Sequence, residues 1–157
     1  MTSRRNPHRS CQRGLAMVEF VITAPVLLLL LFASVEFGEY MIEYSTLSDA
    51  VRDAARYVAG AAINGTDGLL KTGTAWTTLV GQGQNLAVYG AVAGGTALLP
   101  GLTTAQVTVT QNTTTNNITV TATYPYNSPL GASMPNFFGG TIATNFTLTI
   151  STTMRAL

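Results

Sequence analysis

Apolar residues are concentrated in one uninterrupted run near the start of the chain. Residues 20–35 read FVITAPVLLLLLFASV and carry no charge, and Leu15–Glu19 before them extend the run to twenty-one residues. A helix needs roughly 20 apolar residues to cross a bilayer core, so the pattern predicts a membrane-spanning helix over 15–35. Pro25 removes one helical hydrogen bond and predicts a bend, which membrane helices tolerate better than soluble ones.

After residue 35 the apolar positions recur every three or four residues, as they do on one face of a helix. This apolar stripe comprises Tyr40, Tyr44, Leu47, Val51, Ala55 and Val58. Gly60 predicts the end of the helix, which therefore continues over residues 36–60 as an amphipathic segment. A second stripe of charged residues indicates either a solvated face or pairing between subunits; it comprises Glu36, Glu39, Glu43, Asp49, Arg52, Asp53 and Arg56.

Residues 75–93 carry a weaker helical pattern. Trp76, Leu79 and Leu86 suit one face of a helix, but three glycines interrupt the segment, namely Gly81, Gly83 and Gly90. Each glycine weakens a helix by up to about 1 kcal/mol relative to alanine. The segment predicts a short helix, although its helical periodicity is weaker than the one before residue 60.

Three later segments alternate apolar residues with threonine, which predicts half-buried antiparallel strands. They lie around Val107–Val109, Ile118–Tyr124 and Phe146–Ile150, and the loop Asn112–Asn117 joins the first two as a hairpin. A strand with one apolar face needs a cover, and the apolar stripe of the long helix can provide it. The predicted fold is therefore α+β, with a small sheet of about three strands packed against the second half of the helix.

Between the second and third strands lies a loop rich in proline and glycine, residues 125–140. With its flanks it carries four aromatic residues: Tyr124, Tyr126, Phe137 and Phe138. Long loops in small domains are often functional, so these aromatics are candidate contacts for a partner. The alternative is that they simply close the end of the sheet.

The charges of the chain are few and unevenly placed. They make up 10% of the residues, and none lies between Lys71 and Arg155. Such a neutral polar surface suits an outward-facing or assembled protein, because charged residues form about a quarter of a typical domain. Four arginines precede the apolar run, which orients it with the N-terminus in the cytoplasm; they are Arg4, Arg5, Arg9 and Arg13.

Four regions follow from these patterns: a basic leader at 1–14, the span at 15–35, the amphipathic helix at 36–60 and an extracytoplasmic α+β domain at 61–157. The only cysteine, Cys11, and the only histidine, His8, lie in the leader. After residue 60 the charged groups are Asp67, Lys71 and Arg155. General acid–base catalysis needs positioned titratable groups. We therefore expect no enzyme, no cofactor, no metal site and no binding of nucleic acid.

The apolar run has three possible roles: a cleavable secretory signal, an intact single-pass anchor, or the start of a mature chain whose leader is cut after Gly14. The third gives Glu19 a role, because cleavage creates a free amine on Leu15, four residues and about 6 Å of helix rise away. A carboxylate in a membrane segment is costly and needs a positive partner, which a neighbouring subunit's amine can provide. Spacing alone equally allows Glu19 to mark the cytoplasmic interface.

Residues 13–40, RGLAMVEFVITAPVLLLLLFASVEFGEY, and the Ala54-Ala55-Arg56 run resemble the TadE-like family, minor pseudopilins of the bacterial tight-adherence (Flp, type IVb) pilus machinery. The matching motifs are Arg13-Gly14, Glu19-Phe20, Pro25, Glu36-Phe37-Gly38 and Thr153-Met154-Arg155. An acid often follows that last arginine in the family, whereas this chain has Ala156.

The resemblance implies cleavage between Gly14 and Leu15 by a prepilin peptidase, with Glu19 and Phe20 in processing or assembly. It implies other pseudopilins, the major Flp pilin, the inner-membrane assembly platform and membrane lipid as partners. The chain is then expected in the bacterial inner membrane, possessing an extracytoplasmic C-terminal domain, and as part of pilus assembly or priming. The alternative is a single-pass, membrane-anchored surface adhesin or binding module.

Overall fold

A computed structural model describes residues 8–135 and 139–157 of the chain. It begins with one long helix, α1, over His8–Ala61. The helix was predicted to start near Leu15, yet it runs through Gly14 without a break. A single glycine inside a helix costs only about 1 kcal/mol, too little to end one by itself. Pro25 lies within α1, as the sequence indicates.

The chain divides into two units, the first ending at Gly38 and the second spanning Glu39–Leu157. In the described residues, the first unit consists of α1 from His8 to Gly38. The second unit holds the rest of α1 together with a second helix and all the strands. Its elements are α2 (Gly73–Tyr89), a 3-10 turn (Thr104–Gln106), β1 (Val107–Asn112), β2 (Asn117–Tyr126), β3 (Ser133–Pro135), β4 (Thr141–Ala143) and β5 (Phe146–Arg155).

The three predicted strands form one antiparallel sheet in the order β1-β2-β5. Val109 pairs with Val120, and Ala122 pairs with Ile150, so the apolar positions of the three strands share one face. In the predicted hairpin turn, the Asn112 side-chain oxygen accepts hydrogen bonds from the amides of Thr114 and Thr115 at 2.9 and 3.1 Å. The predicted hairpin is confirmed.

The loop between β2 and β5 contains a small hairpin that the sequence pattern did not indicate. β3 and β4 pair with each other as a separate two-stranded sheet. Each strand is only three residues long and is flanked by proline or glycine, so a period of two cannot be read from the sequence. The Thr144 amide donates to the Ala132 carbonyl at 3.2 Å and closes the base of the hairpin.

The second half of α1 packs against the sheet, as the apolar stripe predicts. Leu47, Val51, Ala55 and Val58 are fully buried, whereas Tyr44 at the edge of the stripe stays exposed. The sheet covers them with the inward side chains of β2, which include Ile118, Val120 and Ala122. The α+β fold class is confirmed, and the core lies between α1, α2 and one face of the sheet.

Helix α2 forms despite its glycines, and two of them have an identifiable structural role. A Cβ added at Gly83 would lie 2.5 Å from Val58 Cγ2, whereas one added at Gly81 would meet no atom within 4 Å. Gly83 therefore lets α2 approach α1 closely. Gly90 ends the helix in the left-handed conformation at φ 68°, and its amide donates to the Leu86 carbonyl at 2.9 Å.

The two residues after β5 form backbone hydrogen bonds to the hairpin turn and to the end of α1. The Ala156 amide donates to the Asn116 carbonyl at 2.8 Å, and the Leu157 amide donates to the Ala59 carbonyl at 3.2 Å. Ala156 itself is buried in the core. An acid at this position would lose its hydration here, so the alanine is the residue that suits the packing of this chain.

Candidate functional site

The four residues predicted to act in processing and assembly lie within two turns of α1. Gly14, Leu15, Glu19 and Phe20 are all exposed in the isolated chain. Leu15 and Glu19 are one helical turn apart, so they lie on the same side of the helix. The local sequence forms a helix here because nothing between Leu15 and Ala24 breaks one.

Gly14 is not required by the packing of this chain. A Cβ added at Gly14 would meet no atom within 4 Å, and its backbone is helical rather than left-handed. Alanine is the better helix former by about 1 kcal/mol. If glycine is needed at this position, the need comes from a molecule that binds it.

The apolar part of α1 leaves nearly all of its side chains uncovered. Gly14–Ala61 contains a window long and apolar enough to cross a membrane, and none of that window is buried. Exposed apolar patches larger than a few hundred Å² are rare on soluble monomers. The helix is consistent with membrane anchoring.

The polar side chains within this segment suit an apolar environment. Thr23 Oγ1 donates to the Glu19 carbonyl at 2.9 Å, and Ser34 Oγ donates to the Leu30 carbonyl at 2.8 Å. Both hydroxyls are therefore satisfied by the helix's own backbone. The Glu19 carboxylate differs from them, since no basic side chain among residues 14–133 and 139–157 forms an ion pair with it.

The charged stripe of α1 is divided between different surroundings. Asp49 and Arg52 form an exposed ion pair at 3.8 Å, which contributes little to stability. Glu39 is exposed, whereas Glu36 is buried. Glu43 is half-buried and lies beside the Tyr124 hydroxyl. The exposed Asp49–Arg52 pair and the exposed Glu39 fit the prediction of a solvated helix face. Pairing of these charges between subunits stays a prediction.

Two of the four aromatic candidates are buried at one end of the sheet. Tyr124 and Tyr126 are each 1% exposed. The Tyr126 ring stacks on Phe146 at 4.9 Å, and Tyr40 of α1 lies 5.2 Å from Phe146. This burial favours the alternative in which the aromatics close the sheet, while contact with a partner stays a prediction. Phe137 and Phe138 lie outside the described residues.

Phe146 and Tyr40 belong to this aromatic group although the sequence analysis assigned them only to a strand and a helix. Each was recognised by its period within its own element. That period gives no indication that the start of β5, the end of β2 and α1 meet. The signal that was available is the aromatic residue at each of these three positions.

The buried Tyr124 side chain places a hydroxyl group inside the core. Its hydroxyl donates to the Pro100 carbonyl at 2.9 Å. Burial raises the pKa of Tyr124 above its ordinary value of 10.0, and the nearby Glu43 carboxylate raises it further. A tyrosine that holds its proton in this way anchors the loop before β1 to the sheet.

A groove of about 360 Å³ lies beside the second half of α1. Its titratable groups are Asp49 and Asp53, one turn apart on α1, and its apolar wall includes Leu86 and Leu98. Asp49 is also the ion-pair partner of Arg52 at 3.8 Å. Among the described residues, no three His, Cys, Asp or Glu side chains gather in a way that could hold a metal ion.

Comparison with known proteins places the strongest similarity on α1. Residues 14–56 match the family model described as TadE-like protein. No curated protein and no solved structure matches the chain significantly. The resemblance to the TadE-like family is thus confirmed over residues 14–56, which include the Glu19-Phe20 and Ala54-Ala55-Arg56 motifs.

Proposed function

Because this chain is TadE-like over residues 14–56, which implicates it in tight-adherence pilus biogenesis, we propose that it is a minor pseudopilin of that machinery. The observation that carries the proposal is the uncovered apolar helix with a single acid near its start. The chain takes part in assembling or priming the pilus rather than forming its bulk. A domain with its own core supports this, because such a domain presents one defined surface to other subunits.

The helix crosses the bacterial inner membrane over residues 15–35 with the N-terminus in the cytoplasm. The arginines before the span support this orientation, since basic residues favour the cytoplasmic side. The second unit, Glu39–Leu157, then lies outside the cytoplasm. Its neutral surface between Lys71 and Arg155 suits that position and suits later contact with other pilus subunits.

A prepilin peptidase of the aspartyl membrane type cuts the chain between Gly14 and Leu15. The open space around Gly14 supports this step, because the chain's own packing does not call for glycine there. A side chain at that position would instead meet the peptidase. The bond lies within α1, so the peptidase must unwind the first turns of the helix before it can cut.

After cleavage, Glu19 becomes the fifth residue of the mature chain and Phe20 the sixth. The Glu19 carboxylate pairs with the Leu15 amine of a neighbouring subunit in the membrane. Low dielectric makes this pairing strong and leaves an unpaired carboxylate costly. The pairing sets the register of one apolar helix against the next. Its partners are other pseudopilins, the major Flp pilin and the inner-membrane assembly platform, with lipid covering the remaining helix surface.

The role is structural rather than catalytic. TadE-like pilus components are generally non-enzymatic. In the described part of the second unit beyond residue 60, the charged side chains are Asp67, Lys71 and Arg155. Acid–base and nucleophilic catalysis need positioned titratable groups, so this small number supports a structural role.

The experiment that tests this function is the intact mass and N-terminal sequence of the protein from cells with and without the prepilin peptidase. We expect a mature chain starting at Leu15 only when the peptidase is present. A Gly14→Ala variant is the matched control, because it leaves the fold intact and removes only the recognised residue; we expect it to remain uncut.

Full-length protein in both strains would contradict the processing step. A mature chain that starts beyond Ala33 would instead identify a secretory signal. Circular dichroism of the purified Gly14→Ala protein checks that its helix content is unchanged, so a failure of cleavage can be assigned to recognition.

A surface adhesin is the second candidate, and one feature of the sheet favours it. The outer face carries paired hydroxyls, with Thr119 and Thr153 at 2.8 Å and Thr121 and Ser151 at 2.9 Å. This row of neutral hydroxyls suits binding to a surface. Deletion of the gene separates the two functions: loss of pili supports the pseudopilin, whereas normal pili with reduced attachment supports the adhesin.

A further inference from the structure

Strand β5 forms one edge of the sheet, because it pairs with β2 alone in the order β1-β2-β5. It is ten residues long, from Phe146 to Arg155, and it pairs with β2 over that whole length without a bulge. Strands in globular proteins most often have about five or six residues. The outer edge of β5 is therefore a long row of main-chain groups with no strand beside it among the described residues.

The hydrogen bonds between the strands identify which residues of β5 face this free edge. The Ala156 amide donates to the Asn116 carbonyl at 2.8 Å, and these two residues continue the β2–β5 register. Bonded and non-bonded pairs alternate in an antiparallel ladder, so the even-numbered residues of β5 bond to β2. The odd-numbered residues therefore point their N–H and C=O groups away from β2; they are Thr147, Thr149, Ser151, Thr153 and Arg155.

The opposite edge of the sheet differs, because α2 covers it. The Val107 carbonyl of β1 accepts a hydrogen bond from Gln84 Nε2 of α2 at 2.8 Å. No described residue forms a hydrogen bond to the outward main-chain groups of β5. Proteins usually block an exposed edge with lysine, proline or a bulge, and β5 has none of these. The free edge of β5 is thus open to pairing with another strand.

Strand β5 is complementary to itself when two copies pair antiparallel about a two-fold axis at Ser151. Residues 147 to 155 of both copies then overlap completely, and their odd-numbered residues form the hydrogen-bonded pairs. Ser151 lies opposite the second copy's Ser151, and Thr149 lies opposite the second copy's Thr153. These pairs supply about ten main-chain hydrogen bonds and match hydroxyl side chains with hydroxyl side chains on the outer face.

The same register matches the side chains on the inner face. Leu148 lies opposite the second copy's Met154, and Ile150 lies opposite the second copy's Thr152. Leu148 and Ile150 are buried, whereas Thr152 and Met154 are only half-buried in the single chain. Side chains of non-hydrogen-bonded pairs approach each other most closely. The second copy would therefore cover the half-buried positions and continue the apolar core across the joint.

The charge on β5 is also compatible with this pairing. Arg155 is the one charged residue of the strand, and it lies opposite the neutral Thr147 of the second copy. The two Arg155 residues are then separated by eight positions along the strand, which is about 27 Å. Charges on a protein surface are largely screened beyond about 10 Å at 0.1 M salt. No like charges meet at the joint.

We propose that the free edge of β5 pairs antiparallel with β5 of a second copy of this chain, which joins two three-stranded sheets into one. Addition of a strand to an open sheet edge is a common mode of recognition, in which main-chain hydrogen bonds give the affinity. The match of hydroxyl, apolar and charged positions favours a second copy over an unrelated strand. The pairing involves the second unit alone and does not depend on the proposed pilus function.

Disulfide cross-linking of the full chain in detergent tests both the pairing and its register. Cys11→Ser removes the native cysteine, and Ser151→Cys places one thiol on the two-fold axis. The two Cα atoms of a hydrogen-bonded pair are about 5.5 Å apart, within the roughly 4.4–6.8 Å that a disulfide spans. We expect the protein to migrate as a disulfide-linked dimer after oxidation with copper phenanthroline.

Further cysteines in the Cys11→Ser background make the result specific. Thr147→Cys lies on the same edge, but its two copies are about 27 Å apart, so it should stay monomeric. Thr149→Cys and Thr153→Cys should each stay monomeric alone, at about 14 Å, and should cross-link when the two proteins are mixed. Thr108→Cys is exposed on β1 and reports random collisions within the micelle.

A proline at the free edge tests the main-chain bonds. Thr149→Pro, added to Ser151→Cys, removes one outward N–H and should abolish the cross-link, because the edge loses a donor and the ring blocks close approach. Thr149→Ala is the matched control, since it removes the same side chain, keeps the N–H and should leave the cross-link intact. Far-UV circular dichroism of each variant shows whether the fold is retained. If Thr149→Pro does not fold, the cysteine series decides the question alone.

A folded Ser151→Cys protein that gives no dimer would overturn the second copy as the occupant of this edge. Equal cross-linking of Ser151→Cys and Thr147→Cys would overturn the register. Equal cross-linking of Ser151→Cys and Thr108→Cys would overturn the pairing itself, because the contact would then be collision within the micelle. A cross-link that persists in a folded Thr149→Pro protein would overturn the role of the main-chain hydrogen bonds.

Discussion

At the scale of single residues, two glycines on neighbouring helices have opposite roles. Gly14 has open space around it, so the packing of the chain does not require glycine there. Gly83 is buried against Val58, so its value lies in the contact between α2 and α1. Helix propensity treats both as unfavourable, and only the surroundings of each residue separate them.

Gly83→Ala tests the close contact. Its methyl group would lie 2.5 Å from Val58 Cγ2, and a buried valine has little freedom to move aside. Overpacking of this kind costs about 1–3 kcal/mol. Gly81→Ala is the matched control, since the same helix gains the same propensity there with open space around the methyl group.

We expect Gly83→Ala to be less stable than Gly81→Ala by about 1–3 kcal/mol. Urea unfolding of the detergent-solubilised protein, followed by Trp76 fluorescence, measures the difference. Equal stability of the two variants would show that α2 can move away from α1 at no cost.

At the scale of elements, β2 organises the second unit. It pairs with β1 on one side and β5 on the other, and its alternate side chains are buried from Ile118 to Tyr126. Tyr124 is buried near the end of this strand, and its hydroxyl donates a hydrogen bond to the Pro100 carbonyl. Strand β2 therefore connects the sheet to the loop that leads into β1.

Tyr124→Phe tests this connection through the pH dependence of stability. The pKa of Tyr124 is raised in the folded chain, so the folded form keeps its proton at a pH where the unfolded form loses it. The stabilising contribution is complete below pH 10.0 and is lost as the pH rises through the folded pKa. At neutral pH, loss of the hydroxyl hydrogen bond should cost about 0.5–1.5 kcal/mol.

The stability difference between the native protein and Tyr124→Phe should therefore narrow above pH 10. Urea unfolding at pH 7 and at about pH 11 measures it. The exposed Tyr44→Phe serves as a control for the loss of a tyrosine. An unchanged difference at the two pH values would contradict the raised pKa.

At the scale of the whole molecule, the chain has two units that differ in how far their apolar side chains are covered. The part up to Gly38 leaves its apolar side chains uncovered, whereas the part from Glu39 buries its stripe beneath the sheet. The same helix thus carries an exposed apolar segment first and then one side of a globular core. Glu19 is the charged residue within residues 15–35, and if this segment spans the membrane as proposed, Glu19 should act on assembly rather than on folding.

Glu19→Ala tests this role in the intact cell. We expect normal cleavage after Gly14 and a fall in pilus number to the level of a strain that lacks the gene, because the neighbouring amine loses its carboxylate. Electron microscopy counts the pili, and N-terminal sequencing confirms cleavage.

Glu39→Ala is the matched control, since Glu39 is an exposed acid on the same helix outside the span. It should retain pili. Normal piliation of the Glu19→Ala strain would show that the carboxylate does not pair with a subunit amine.

Much of the fold was predictable because its signals are local. The apolar run, the three-to-four periodicity of α1 and the alternation in β1, β2 and β5 each depend on neighbours a few residues apart. The residues proposed to act in processing and assembly, Gly14, Leu15, Glu19 and Phe20, were named from spacing and from the TadE-like motif. The β3–β4 hairpin was missed because three-residue strands carry too little pattern.

The sequence by itself determined which segments are apolar, which helix is long and apolar enough to cross a membrane, and which faces of the strands turn inward. Only the tertiary structure decided that Gly83 faces Val58, that Ala156 is buried, and that Tyr40, Tyr126 and Phe146 meet at one end of the sheet. These residues are far apart in the chain, and their contacts depend on sheet register and helix packing. Periodicity records which way a side chain points within its own element, but it carries no information about what lies opposite.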